Sequence, residues 1–252
     1  MIRGGIEVVG LVVLWALVAG AGLNHLADRL PARERIDALP RCGYCATPRP
    51  PLGWISTIAY LSGRFRCPSC GAPISVRHPI TELVTVLAWV SLYQSRGLTL
   101  YFLLGAFYAC VFLLVLITDL EHRLILNVVI LPAIVVALAG SFLPVPPMPQ
   151  SAVIGGAIGF LFFWLVALVG RGAMGAGDVK LAAFIGAVAG FPNIITALIF
   201  GIFAGGIVAL ILIVTRIKTL KSYIPYGPFL VFGGVLVTFF GPLIRQLFVA
   251  AP

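Results

Sequence analysis

Residues 100–119 read LYFLLGAFYACVFLLVLITD, nineteen uncharged residues and then an aspartate. A helix rises about 1.5 Å per residue, so such a run is about as long as the hydrocarbon core of a bilayer is thick, roughly 30 Å. The stretch sets the fold class as that of a membrane helix, and it poses a question at its end. A carboxylate near hydrocarbon costs several kcal/mol, roughly 3 or more, unless it is paired, solvated or neutral. From Leu83 to Pro252 the chain has only three acidic residues, Asp119, Glu121 and Asp178. Acids so sparse at a membrane edge point to function, and two of them point to a carboxylate pair.

The rest of the chain agrees with a membrane setting. It is 61% hydrophobic and 10% charged over 252 residues, whereas soluble domains are about half apolar and about a quarter charged. Apolar runs centred near Leu14, Leu87, Leu113, Val135, Phe163, Gly186, Ile207 and Leu236 predict an all-α polytopic protein of about eight transmembrane helices. The first run, Val8 to Leu23, is longer than a usual signal-peptide core, so it is read as a retained helix. No tandem repeat is read.

The net charge of +9 does not mark a nucleic-acid binder. Eight arginines fall between Arg29 and Arg77, and Arg123, Arg171, Lys180, Arg216, Lys218 and Lys221 share their side of an eight-span topology. Only Arg3, Arg96 and Arg245 fall opposite. Cytoplasmic loops of membrane proteins carry such an excess. This predicts both termini outside, with residues 28–80, Asp119 and Asp178 at the cytoplasmic face.

Three parts follow: a first helix (1–27), a polar insert (28–80) and a membrane body (81–252). The insert has few aromatic residues, so a core alone would barely hold it. Cys42-Gly-Tyr-Cys45 and Cys67-Pro-Ser-Cys70 supply another staple. Two C-x-x-C turns separated by 21 residues suit a tetrahedral S4 site of the zinc-ribbon type. Two disulfides are the alternative, disfavoured in a reducing cytoplasm. Four thiolates leave no open position, so the predicted zinc is structural.

Asp119 ends one apolar run, and Asp178 follows another in Met174-Gly-Ala-Gly177-Asp178-Val-Lys180. Gly175 and Gly177 are read as letting the backbone pass close to a substrate and adopt angles other residues resist. Asp178 could instead cap the next helix, and Asp119 could be a solvated helix end. As a pair they fit acid–base work. Close carboxylates cannot both ionise easily, so one activates a water while the protonated partner donates to a carbonyl oxygen.

The Gly175-Ala-Gly177-Asp178 turn with Lys180 resembles the signature of the bacterial type IV prepilin peptidases, membrane aspartyl proteases. Asp119-Leu-Glu-His-Arg-Leu-Ile-Leu-Asn127 resembles their first aspartate motif, with Leu126 where the family usually has Pro. The resemblance extends to Asn24–Pro31, both cysteine pairs, His78-Pro-Ile-Thr-Glu82 and Tyr226-Gly-Pro228. It implies that Asp119 and Asp178 are the catalytic aspartates. It implies cleavage of the leader of prepilins and pseudopilins at the cytoplasmic face of the bacterial inner membrane. It further implies N-methylation of the new terminus with S-adenosylmethionine, although no residue here independently marks a methyl-donor site.

Other residues are read more plainly. Glu121 and His122 flank Asp119 and are read as solvated loop charges, with tuning of Asp119 the alternative; Cys110 is read as a small buried apolar group and His25 as interfacial. His78 is not needed as a metal ligand. Lys180 either favours an ionised Asp178 or snorkels to the headgroups. Glu82 complements the start of its own helix or reads a basic leader. A transporter or channel using the two acids for protons or cations, with a regulatory zinc module, is the competing reading from another class. A non-enzymatic pilin scaffold is a third. Transporters place such acids near the midplane, whereas both stand at one edge here.

Overall fold

The computed structural model describes residues 2–170, 175–216 and 225–249. Arg171, Met174, Lys218 and Lys221 lie outside these. The described chain is helical: α1 (Ile2–Arg29), α2 (Ser56–Leu61), α3 (Arg77–Arg96), α4 (Leu100–His122), α5 (Asn127–Gly140), α6 (Pro149–Val169), α7 (Ala176–Ala189), α8 (Asn193–Val214) and α9 (Gly227–Val249). The helices stop where the sequence lets them. Gly97 and Gly190 follow α3 and α7 at φ 65° and 69°, a left-handed conformation that glycine adopts freely. Pro149 opens α6, where its missing N–H costs nothing.

The expectation of about eight spans needs correction. All eight apolar centres fall in helices, but among the described residues four helices are long and apolar enough to cross a membrane: Glu7–Arg29, Leu100–His122, Pro149–Val169 and Asn193–Val214. The reason is length and charge. The helices α5 and α7 have 14 residues each, about 21 Å, short of the roughly 30 Å of hydrocarbon. Helix α3 carries Arg77, His78 and Glu82 in its first two turns.

The zinc-ribbon expectation also fails. Among the described residues there is no β-strand, only isolated bridges between Arg41 and Pro48 and between Arg66 and Pro73. Each bridge ends on a proline, which has no N–H with which to extend a ladder. The chain between them runs instead through a single 3-10 turn, Pro51–Gly53, into α2.

The chain divides into two compact units, residues 1–114 and 115–252. In the first, α1 packs along α3. A Cβ on Gly20 would stand 2.7 Å from Glu82 Cα, so glycine is what allows this approach. In the second, α6 packs on α7 and α8 on α9. A side chain on Gly155 would collide with the Gly186 carbonyl, and one on Gly186 with that of Gly155. Small residues on facing helices thus bring backbones into contact, the usual adhesive where lipid removes the hydrophobic drive.

Candidate active site and candidate metal centre

Both aspartates belong to the second unit. Asp119 is near the end of α4 and 4% exposed. The helix closes just beyond it. Arg123 turns to φ 56°, donating its N–H to the Asp119 carbonyl at 2.9 Å. Glu121 and His122 are about 40% exposed and lie 3.9 Å apart. Asp178 is the third residue of α7 and 5% exposed. The N-cap of α7 is Gly175, not the aspartate. The Asp178 N–H donates to the Gly175 carbonyl at 3.1 Å, while the Gly175 amide meets the Asp178 carboxylate. Each thereby satisfies an orphan group of the first turn, as in a capping box.

Three contacts join the two aspartate segments. Gly177 fits against Ile125, where an added Cβ would be 2.8 Å from that of Ile125. Lys180 Nζ donates to Asn127 Oδ1 at 2.8 Å, tying α7 to the start of α5. The charge of Asp119 acts on Asp178 directly. Burial first, then that charge, pushes the Asp178 carboxyl up to about 6. Helix α7 is not one of the four candidate spans. The segment before α9 closes the site. Gly227 lies against the Asp119 carboxylate, and Tyr226 is close enough to Asp178 for its phenol to be raised, by burial and by that carboxylate.

The glycine expectation is therefore corrected. Gly175 has an ordinary φ of −74°, so it needs no angle that other residues resist, and Gly177 leaves room for Ile125. Lys180 serves Asn127, a partner not expected from sequence. The signal was there: Asn127 closes the first motif and Lys180 the second, and residues that end two motifs are natural candidates to meet.

The first unit holds the four cysteines. Cys42 and Cys70 sulfurs are 3.8 Å apart, and those of Cys45 and Cys67 3.7 Å. All four lie within 4.8 Å of one another. A zinc ion at about 2.3 Å from each sulfur sets tetrahedral edges of about 3.8 Å, whereas a disulfide needs about 2.05 Å. The donor set fits a structural metal ion. His78 is not part of it. Its Nε2 lies 3.3 Å from Asp28 Oδ2, and its carbonyl accepts from Asn24 Nδ2 at 2.9 Å.

The two cysteine turns are copies of one design. Arg41-Cys-Gly-Tyr-Cys-Ala-Thr-Pro48 and Arg66-Cys-Pro-Ser-Cys-Gly-Ala-Pro73 match at the arginine, both cysteines and the proline. Equivalent amides close them: Cys42 N–H to Thr47 O and Cys67 N–H to Ala72 O. This short repeat was legible in the sequence and was not read there.

Glu82 has neither of its expected roles. It is fully buried, beyond the first turn of α3. Its two oxygens accept the N–H groups of Ser56 and Thr57 at 2.8 and 2.7 Å. It caps α2 from a distance and fastens the insert to α3. His25 is likewise engaged, its Nε2 3.0 Å from the Ile36 carbonyl.

The sequence pattern of the Type IV leader peptidase family matches residues 105–210, and that of the bacterial peptidase A24 N-terminal domain matches residues 14–95. Among curated proteins, a prepilin leader peptidase/N-methyltransferase of Bacillus subtilis is 25% identical over 95% of this chain and 97% of its own length. The protein of the same name from Pseudomonas aeruginosa is 28% identical over 94% and 91%. That from Myxococcus xanthus is 31% identical over 78% and 61%. No solved structure matches the chain.

Proposed function

The chain belongs to the type IV leader peptidase family, and from that premise we propose how its residues carry out the work its relatives are named for. It is a membrane aspartyl endopeptidase that removes the leader of prepilins, coupled to N-methylation of the product. It is a multi-pass protein of the bacterial inner membrane. Asp119 and Asp178 are the catalytic pair. The observation that carries this assignment is that the two aspartates are both buried in one unit, with the charge of Asp119 helping to raise the Asp178 carboxyl.

The chemistry follows from one proton shared between them. The ionised carboxylate takes a proton from a water as its oxygen attacks the scissile carbonyl carbon. The protonated partner donates to the carbonyl oxygen, stabilising the tetrahedral intermediate. Collapse of that intermediate breaks the C–N bond: the first carboxylate returns its proton to the leaving amine, and the hydroxyl formed from the carbonyl returns the other proton to the second aspartate as C=O is restored, so the pair again shares one proton. Burial strengthens each of these interactions.

Zinc is the proposed occupant of the four-cysteine site. When bound, it cross-links the two turns and supplies folding energy to an insert with a thin core. Residues 28–80 form this metal-stapled module and 81–252 the peptidase body. The methyl donor is S-adenosylmethionine, as the resemblance implies. Among the described residues no cluster marks where it would sit. Substrates are prepilins and pseudopilins held in the bilayer.

The test is incubation of the purified membrane protein with a prepilin, followed by mass spectrometry of the pilin N-terminus. Loss of the leader and a gain of 14 Da, about one methyl group, is expected. An unprocessed pilin with the wild-type protein, or processing by Asp119→Asn at the wild-type rate, would overturn the assignment.

A further inference from the structure

We propose that Gly227 is a positioning residue for Asp119, a part for which the sequence motifs gave no role. The proposal rests on Asp119 being catalytic. It stands on a steric fact. A Cβ on Gly227 would collide with Asp119 Oδ2 and lie 2.9 Å from its Cγ and 3.4 Å from its Cβ. No other side chain could occupy the first position of α9 with Asp119 where it is.

The hydrogen bonds of that turn show what the close approach achieves. A helix begins with orphan N–H groups. In α9 the N–H groups of Phe229 and Leu230 both go to the Tyr226 carbonyl, at 3.1 and 3.2 Å. Pro228 has none. The Gly227 amide is thus the donor left over, and it meets the Asp119 carboxylate. Asp119 Oδ2 is buried and without a hydrogen-bond partner, so its position is set by the backbone packed against it. The turn is itself held. The Tyr226 ring lies 5.8 Å from that of Phe163 and 6.1 Å from that of Phe229. Gly205 on α8 makes the room for it, since a Cβ there would be 3.0 Å from Tyr226 Cε2. The start of α9 is therefore a fixed stop against which one carboxylate is set.

Gly233 provides the control. It is in the same helix, and a side chain there would collide with the Ala197 carbonyl, away from the aspartates. In Gly227→Ala, kcat for prepilin cleavage should fall at least about a hundredfold, the scale of a 1 Å misplacement, with KM little changed. In Gly233→Ala any loss should follow loss of folded protein. A second measurement stands apart from activity. Thermal unfolding of wild type, Gly227→Ala, Asp119→Ala and the double variant forms a cycle. Gly227→Ala should lower Tm in the wild type, or prevent folding, and should have little effect once Asp119 is alanine. An equal Tm loss in both backgrounds, or wild-type kcat in Gly227→Ala, overturns the proposal. If Asp119→Asn itself cleaves normally, the assignment of Asp119 fails instead.

Discussion

Asp178 shows how burial and a neighbouring charge alter one residue's chemistry. Its carboxyl is raised from 3.8 to about 6, by burial first and by Asp119 second. Between about pH 4 and pH 6 the folded protein therefore holds a proton that the unfolded chain has released, so stability falls as pH rises through that window. A shift of this size corresponds to about 2–3 kcal/mol above pH 6. Asp178→Asn removes the charge. It should abolish cleavage yet unfold at a higher temperature than wild type at pH 7.5, and the gain should disappear by pH 4. An Asp178→Asn protein no more stable than wild type at pH 7.5 would show that the charge is not strained. Wild-type cleavage should show a descending limb near pH 6, where the shared proton is lost. A second residue is informative for the opposite reason. Ala46 sits at φ 57° where its repeat partner Gly71 sits at φ 72°. A left-handed alanine costs roughly 1–2 kcal/mol, and glycine's extra chain entropy returns about 0.5–1 of it. Ala46→Gly should therefore slow metal loss to a chelator, and Gly71→Ala should speed it. Identical rates for all three proteins would count against the strain argument. Both aspartates were legible because acids are rare in the apolar sequence. The strain at Ala46 was not, because a backbone angle leaves no mark on composition.

At the scale of elements, α2 depends on a residue outside it. Six residues cannot sustain a helix alone, and its N-cap Ile55 has no side-chain acceptor to offer. Glu82 provides both acceptors from α3. Glu82→Ala should leave two amides unsatisfied and cost about 2 kcal/mol or more. Limited proteolysis should then cut near residues 56–61 first, while Glu82→Gln, which keeps one carbonyl, should resist better. Equal resistance in all three proteins would show that α2 is held by other means. Sequence reasoning assigned Glu82 to its own helix because local pattern sees only neighbours along the chain, and its partners are 25 and 26 residues away. The same limit hid the bond between Lys180 and Asn127. It did not hide α4, whose apolar run and terminal acid lie side by side in the sequence. Leu126 is a related case. It precedes α5 at φ −76° and ψ 123°, angles proline itself prefers. Leu126 thus holds the start of α5 at angles that a proline there would also adopt.

For the whole molecule, composition made the membrane class legible, but hydropathy alone could not separate a crossing helix from a buried one. The helices α5 and α7 read as spans because they are apolar, yet α7 is apolar because most of it, ten of 14 residues, is buried in protein. Length decides, and the sequence blurs length where helices are joined by short, equally apolar turns such as Phe191-Pro192. Orientation rests on charge. Eight arginines between Arg29 and Arg77, and Arg123 four residues beyond Asp119, belong with segments expected in the cytoplasm. That is also the side on which a leader would be cut. A cysteine placed at Arg123, in a variant lacking the native thiols, should be shielded from an impermeant maleimide in intact cells and react once the cells are opened. A cysteine at Pro147 should react in both. The cysteine insert must be removed with care, because losing its metal would unfold it. Labelling is therefore read only in variants whose prepilin cleavage survives the thiol replacement. Should Arg123→Cys react in intact cells, Asp119 would face away from the compartment in which prepilin leaders are made. The charge asymmetry would then need another cause, and the cleavage site would have to be sought on the opposite face.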